Sequence, residues 1–305
     1  MRGALLALAA AAAQAALAAP PVLWHTQVDN DVFHSDRWYT SGVRIYRSAP
    51  LDAASPLAPL LRAPSTREQR FDAGIVHEVY TGDGRQDPTL PDRPNAGRLQ
   101  LSLARHDIAP DTLATLGFDA GVSGPAAWGE QAQDIIHRVA PAPETDWSRQ
   151  VPNRADIQLA AAWSHRIGPA AIPGALVVHG GGVAGTLAAF GHAGIEWRTD
   201  GPAEAANPLL RFAATPPLPR KAGGLSLFAG ASVRAVARNR LLERRADDPK
   251  PEAGFERRVS RVAAGIAWSE TWGVVTLGLA RDSREFEGQH SPHRFGSLGL
   301  SIAFD

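Results

Sequence analysis

Beyond its N-terminal segment the chain has no apolar run of the roughly 18 residues that a membrane-crossing helix needs. Yet it alternates apolar and polar residues over stretches of about ten positions, the period and length of a strand in a membrane barrel. The stretch 98–103 shows the pattern plainly. Leu99, Leu101 and Leu103 fall on one face, and Arg98, Gln100 and Ser102 on the other. Similar segments cover 38–47, 157–167, 174–187, 193–199, 223–236, 256–268, 273–280 and 295–304. Turn clusters separate several of them, at Gly82-Asp83-Gly84, Asp200-Gly201-Pro202, Asp247-Asp248-Pro249 and Gly288. About twelve strands can be counted, an even number as bacterial outer-membrane barrels have. The expected fold is all-β: an antiparallel transmembrane β-barrel. Hydropathy averages hide such strands. The chain is 44% hydrophobic, with mean hydropathy −0.17, so a soluble ligand-binding β-protein of the periplasm is an alternative.

The start of the chain supports export. Arg2 precedes an Ala- and Leu-rich run over 4–18, and Ala16-Leu17-Ala18 fits the small-x-small pattern of a cleavage site. Residues 1–18 therefore read as a signal peptide, and 19–305 as one barrel domain in the outer membrane. The polar stretches 52–66, 81–97, 138–155 and 240–256 read as loops. Long loops are expected on the outer face and short turns on the periplasmic face. The segment 126–139 differs: helix formers follow Pro125, which suits a helix start, so a short helix is expected in or above the barrel mouth, near the extracellular rim. Trp24, Trp38, Trp163, Trp197, Trp268 and Trp272 suit a girdle at the membrane interface. Phe304, one residue from the end, resembles the terminal aromatic of such barrels.

Composition removes several kinds of chemistry. With no cysteine, thiolate metal sites, disulfides and cysteine nucleophiles are out. A formal net charge of +0 lacks the basic footprint of a nucleic-acid binder. Only Lys221 and Lys250 are lysines. Arginine suits phosphate, but a bias spread along the whole chain locates no site. There is no Gly-x-Ser-x-Gly elbow, and Gly180 to Gly185 lacks the Lys-Ser/Thr of a P-loop. His290, Ser291 and His293 fall in an expected turn beside Pro292, with no acidic partner evident. His165 and His179 fall inside strands, as lumen or packing residues.

Two clusters can carry chemistry. Asp29-Asn30-Asp31, with Asp36 and Thr40 following, crowds carboxylate, amide and hydroxyl oxygens at one end of two strands. Calcium takes such ligands; the EF-hand spacing is absent, and the same residues also suit a polar turn. In the second cluster, Gly121 to Pro125 precede the expected helix, on which Gln133 and His137 stand one turn apart. Imidazole, with an ordinary pKa of about 6.5, can take a proton from water near neutral pH.

Together these motifs resemble the lipid A 3′-O-deacylase (LpxR) family. The residues concerned are Asn30-Asp31-x-Phe33 with Asp36 and Tyr39-Thr40-x-Gly42; Asp92-Arg93-Pro94-x-Ala96-Gly97, with Asn95 where the family has Tyr; Gly121-x-x-Gly124-Pro125 with Gly129, Gln133 and His137-Arg138; and Trp147-x-x-Gln150. The resemblance implies a twelve-stranded, calcium-dependent esterase that releases the 3′-linked acyloxyacyl group of lipid A. It implies that His137 is the general base, Asp31 a calcium ligand, Asn30 and Thr40 parts of the calcium and oxyanion environment, and Gln133 a support for His137. Some family members carry a basic residue after the strand that corresponds to 70–80, to meet a lipid A phosphate. Here Arg85, or Arg93, is the candidate. The implied partners are lipopolysaccharide and the outer membrane, with the protein a monomer. A non-catalytic barrel of the same lineage, structural or a pore, is the competing reading.

Overall fold

The structure is a computed structural model that describes residues 20–31, 37–52, 54–57, 66–83, 89–139, 145–167, 174–199, 209 and 223–304. The segment read as a signal peptide lies outside these residues, as do Phe33, Asp36 and Arg85. Twelve strands follow in order: β1 Val22–Asn30, β2 Trp38–Pro50, β3 Glu68–Thr81, β4 Ala96–Ile108, β5 Thr112–Ser123, β6 Arg154–Ile167, β7 Ala175–Gly185, β8 Ala188–Arg198, β9 Gly224–Asn239, β10 Arg258–Glu270, β11 Gly273–Asp282 and β12 His293–Phe304. Among the described residues there is one α-helix, α1 Gly129–Val139, which follows a 3-10 turn at Pro125–Ala127; a second 3-10 turn spans Arg240–Leu242. Each strand pairs antiparallel with its sequence neighbours, and β1 closes the barrel on β12. No described helix is long and apolar enough to cross a membrane.

The alternation in the sequence sorts the side chains into an inside and an outside. Leu101 is 52% exposed, and Ile45, Ile75, Leu159, Leu227, Val262 and Leu279 share its outward setting. The residues between them are buried and polar, among them Gln27, Asp29, Glu78, Gln100, Asp156 and Gln158. This is the reverse of a soluble protein, and it is what hydrocarbon outside and a filled polar lumen inside require.

Ion pairs run across the lumen. Arg44 binds Asp29 (2.6 Å) and Glu78 (2.8 Å), and Arg98 binds Glu78 (3.0 Å) and Asp156 (3.2 Å). Gln100 donates to Asp156, and the Tyr39 hydroxyl to Asp29 at 2.8 Å. Higher up, Arg261 forks onto both oxygens of Asp282 at 2.6 Å and lies over the Phe295 ring. Leu209, between β8 and β9 in sequence, is buried in the lumen against Tyr39, Phe228, Ala263 and Phe295. At the rim away from the termini, Trp38, Leu242, Ala253 and Phe286 close over the interior.

Three expectations are corrected here. The loop 52–66 joins β2 to β3 at the rim that carries the chain termini, which is the periplasmic one, so the long loops are not all on the outer face. Trp24, Trp163, Trp197, Trp268 and Trp272 do gather near that rim, but Trp38 is 2% exposed inside the opposite end. His179 points into the lumen beside His192, whereas His165 is exposed on the outer wall, bonded to Thr112 (3.1 Å).

Buried Glu78 joins two part-buried lumen arginines, so Glu78→Ala should cost about 3 kcal/mol, as breaking a buried pair does. The measurement is the urea midpoint of the compact, heat-modifiable band. An unchanged midpoint would show that the lumen pairs contribute nothing to the barrel.

Candidate active site on the outer wall

The first motif sits where β1 and β2 end at the extracellular rim. Asn30 lies opposite Ser41, and the backbone N–H of Asp31 donates to the Thr40 carbonyl at 3.2 Å. Asn30 follows Trp24 and Val28 on the outward side of β1, whereas Asp29 points into the lumen and belongs to the ion-pair ladder. The oxygens therefore crowd at one strand end, but they divide between two faces. A β-bulge between Tyr39 and Ser41 inserts Thr40 as an extra residue. Such bulges re-aim side chains. Here the Thr40 hydroxyl meets that of Thr81 at 2.6 Å, on the outward side of β3. Trp38, just before the bulge, has a left-handed backbone at φ 67, a strained setting for a bulky residue. The Asp31 carboxylate accepts from the Arg37 N–H at 2.9 Å.

The second motif reaches the same wall from outside. His77 and Gly97 share the outward parity of Ile75 and Leu101. His77 Nε2 donates to the Ala127 carbonyl at 2.7 Å. A Cβ on Gly97 would stand 2.8 Å from the Gly129 nitrogen, and one on Gly129 would stand 2.8 Å from both the Gly97 Cα and the Trp147 ring. Only glycine at both positions allows this approach. α1 thus packs on the outer face of β3 and β4, not in or above the mouth. Its wall-facing side carries Gly129, Gln133 and, part-buried, His137; Glu130, Asp134 and Arg138 face away. α1 packs on β3 and β4, and the Thr40 hydroxyl of β2 bonds to Thr81 of β3, so the two motifs lie on neighbouring strands of one side of the barrel.

Gln133 is buried and bonded at both ends of its amide. It donates to the Thr145 hydroxyl and accepts from Trp147 Nε1, each at 2.9 Å. This explains Trp147 of the Trp-x-x-Gln segment: its indole locks the helix to the chain that returns to β6. Asn95, which departs from the family pattern, serves the same segment. It accepts from Gly82 N–H (2.7 Å) and donates to the Asp146 carbonyl (2.8 Å).

Arg93 is 1% exposed, with its guanidinium 4.5 Å from the Tyr80 ring and 3.9 Å from Glu285. Burial pulls its pKa below the ordinary arginine value, against the pull of Glu285. Held inside the rim in this way, it offers no surface to a lipid phosphate outside the barrel. Arg85 lies outside the described residues. His290 does have an acidic partner, Asp83 at 3.1 Å, brought in by the β3–β4 loop. Among the described residues no serine hydroxyl bonds to it, so no Ser–His–Asp relay forms.

Sequence reading missed His77, Thr81, the role of Gly97 (named there only as a motif residue) and Thr145. Each matters through a partner distant in the chain, and only the outward parity of the first three was there to be read. For a hard cation, the sector offers the Asp31 carboxylate, the Asn30 amide, the Thr40 and Thr81 hydroxyls and strand-end carbonyls. These are oxygen donors of the kind calcium takes. Among the described residues no group of three or more His, Asp or Glu is arranged to hold a metal, so neutral oxygens would have to complete the shell.

A closed barrel that is apolar outside, charged inside and girdled by tryptophan is an outer-membrane protein, here with several of its candidate site residues on the outward side. The family model described as "Outer membrane protein LpxR" matches residues 2–304, and the chain belongs to this family. The solved structure of LpxR from Salmonella typhimurium aligns with a TM-score of 0.74 at 18% identity, over 92% of this chain and 100% of that one. The translocator domain of the autotransporter NalP from Neisseria meningitidis aligns at a TM-score of 0.43 and 12% identity, over 93% of this chain and 88% of that one. The β domain of the Bordetella autotransporter BrkA gives 0.46 and 9%, over 94% and 100%. No curated protein matches the sequence.

Gly97→Val should push α1 off the wall, at a cost of about 1–3 kcal/mol for overpacking. Limited proteolysis should then cut within 124–153 while the barrel stays heat-modifiable. A loop as resistant as that of the unmodified protein would mean that this contact does not seat the helix.

Proposed function

We propose that this protein is a calcium-dependent esterase of the outer membrane that hydrolyses the 3′-linked acyloxyacyl group of lipid A. The observation that supports this reading is that Asn30, Thr40 and α1 lie on the outward side of neighbouring strands β1–β4, with Thr40 bonded to Thr81 of β3, on which α1 packs. Membership of the LpxR family supports the same reading.

In the reaction a water molecule beside His137 loses a proton to the imidazole as its oxygen bonds to the ester carbonyl carbon. The tetrahedral intermediate collapses with cleavage of the bond to the sugar oxygen, which takes the proton back from the imidazolium. The products are a fatty acid and a free 3′-hydroxyl. The Asn30 amide and the Thr40 hydroxyl are the donors suited to the developing oxyanion. Calcium, held by Asp31 and the neighbouring oxygens, would supply Lewis-acid polarisation of the carbonyl. Gln133 keeps the helix at its station through Thr145 and Trp147, and so sets where the His137 ring can stand. A passive pore is opposed by the lumen, which ion pairs and Leu209 occupy.

Mass spectrometry of lipid A from cells that express the protein tests this, beside His137→Ala and with calcium present or chelated. The expected result is loss of one acyloxyacyl mass that needs both His137 and calcium, with the variant slower by about 10²–10⁴-fold. Unchanged lipid A from protein shown to be folded in the membrane would overturn the reading.

A further inference from the structure

Away from α1, the outer wall carries a second arrangement that the proposed reaction does not use. Arg281 on β11 and Arg294 on β12 stand directly opposite each other in the register. Both are exposed on the outward side, above Leu279 and Leu298 of the apolar belt. Like charges directly opposite on a sheet repel, and among the described residues neither arginine has a carboxylate partner. The contrast with the lumen is sharp, where Arg44, Arg98 and Arg261 are each paired with acidic groups. Arg258, also exposed, adds a third positive charge on the neighbouring strand.

Below the two guanidinium groups the wall is recessed. Small residues, Ala229 and Ala264, form the floor between Val262 and Leu279, and the groove has a volume of about 560 Å³. Arg281 and Arg294 are part of its lining. That volume falls within the roughly 300–1,000 Å³ of ordinary ligand sites. An apolar groove at membrane level with two unneutralised arginines at its outer end matches one molecular shape: an acyl chain below a phosphate.

We propose that the outer wall across β9–β12 binds a phosphorylated lipid of the outer leaflet. Its phosphate bridges Arg281 and Arg294, and an acyl chain lies over Ala229 and Ala264. The phosphate relieves the repulsion between the arginines through charge-assisted hydrogen bonds, which guanidinium forms in bidentate fashion. This is a lipid-binding surface in its own right. It stands whether or not the protein is an esterase: residues of β9–β12 line the groove, not Asn30, Thr40 or His137, although β12 adjoins β1 and Gly296, two residues from Arg294, stands opposite Asn30.

The test is native mass spectrometry of the full-length protein released from detergent, with dilauroyl phosphatidic acid as the probe and dilauroylglycerol as its phosphate-free counterpart. The unmodified protein should retain phosphatidic acid and lose dilauroylglycerol. Arg281→Gln with Arg294→Gln should weaken retention about tenfold or more, the scale of one lost charge-assisted bond. Ala264→Phe, which fills the groove and leaves both charges, should weaken it as well, and it serves alone if the double variant fails to fold. The proposal is overturned if the unmodified protein retains neither lipid, if it retains both alike, or if a folded variant retains phosphatidic acid as the unmodified protein does. Because the readout is binding, loss of lipid A hydrolysis in some other experiment leaves this outcome untouched.

Discussion

Everything in this molecule follows from the pairing of β1 with β12. In hydrocarbon a backbone N–H or C=O without a partner is costly, so an open sheet edge cannot stand there. The chain meets that demand by returning Phe304 to Val22 and Gly296 to Asn30. Once closed, each strand has one register, and each register gives one assignment of side chains to lumen or lipid. Asp29 and Asn30 are adjacent in sequence, yet closure sends the first into the ion-pair ladder and the second to the outer wall. A slip of one residue would exchange them. It would place a carboxylate on the lipid side and break the Arg44 pair at the same time.

This explains how much the sequence could tell. Period-2 alternation is a local property, so Leu99, Leu101 and Leu103 announce an outward face and Arg98 and Gln100 an inward one before any partner is known. The even strand number and the strand ends at Asn30 and Thr40 could be read for the same reason. What could not be read depended on contacts between distant segments. Nothing in 126–139 says on which side of the wall the helix lies, because that is settled by Gly97 and by His77, each more than 29 residues upstream of Gly129. Trp38 looks like a girdle tryptophan until the loops that hold Leu242 and Phe286 are folded over it. The His290 partner was invisible because Asp83 is brought to it by closure of the barrel rather than by sequence.

The filled lumen and the outward site are two aspects of one design. A barrel whose interior is cross-linked by Arg44, Glu78, Arg98 and Asp156 has little freedom to flex about β1–β4. Those are the strands that support Asn30, Thr40 and α1. A site on the wall needs that stiffness, since its two halves come from separate segments, a strand end and a docked helix. The Gly97–Gly129 approach and the His77 bond hold the helix to the wall, and the Gln133–Trp147 lock holds it to the chain that follows.

The arginine bias acquires a meaning once inside and outside are separated. In the lumen, where water is scarce, a guanidinium is tolerated because a carboxylate neutralises it, and breaking such a pair is costly. Arg44, Arg98 and Arg261 meet that condition. Arg93 meets it in part, through an aromatic face and a carboxylate at 3.9 Å. On the outer wall the condition is relaxed, since phosphate-bearing lipid lies beside the rim and can neutralise what the protein does not. Arg281 and Arg294 sit where that exchange is available, one outward step above the apolar belt. The same residue type therefore performs two tasks according to parity: it staples the interior against its own carboxylates, and at the rim it leaves its charge for the membrane to satisfy.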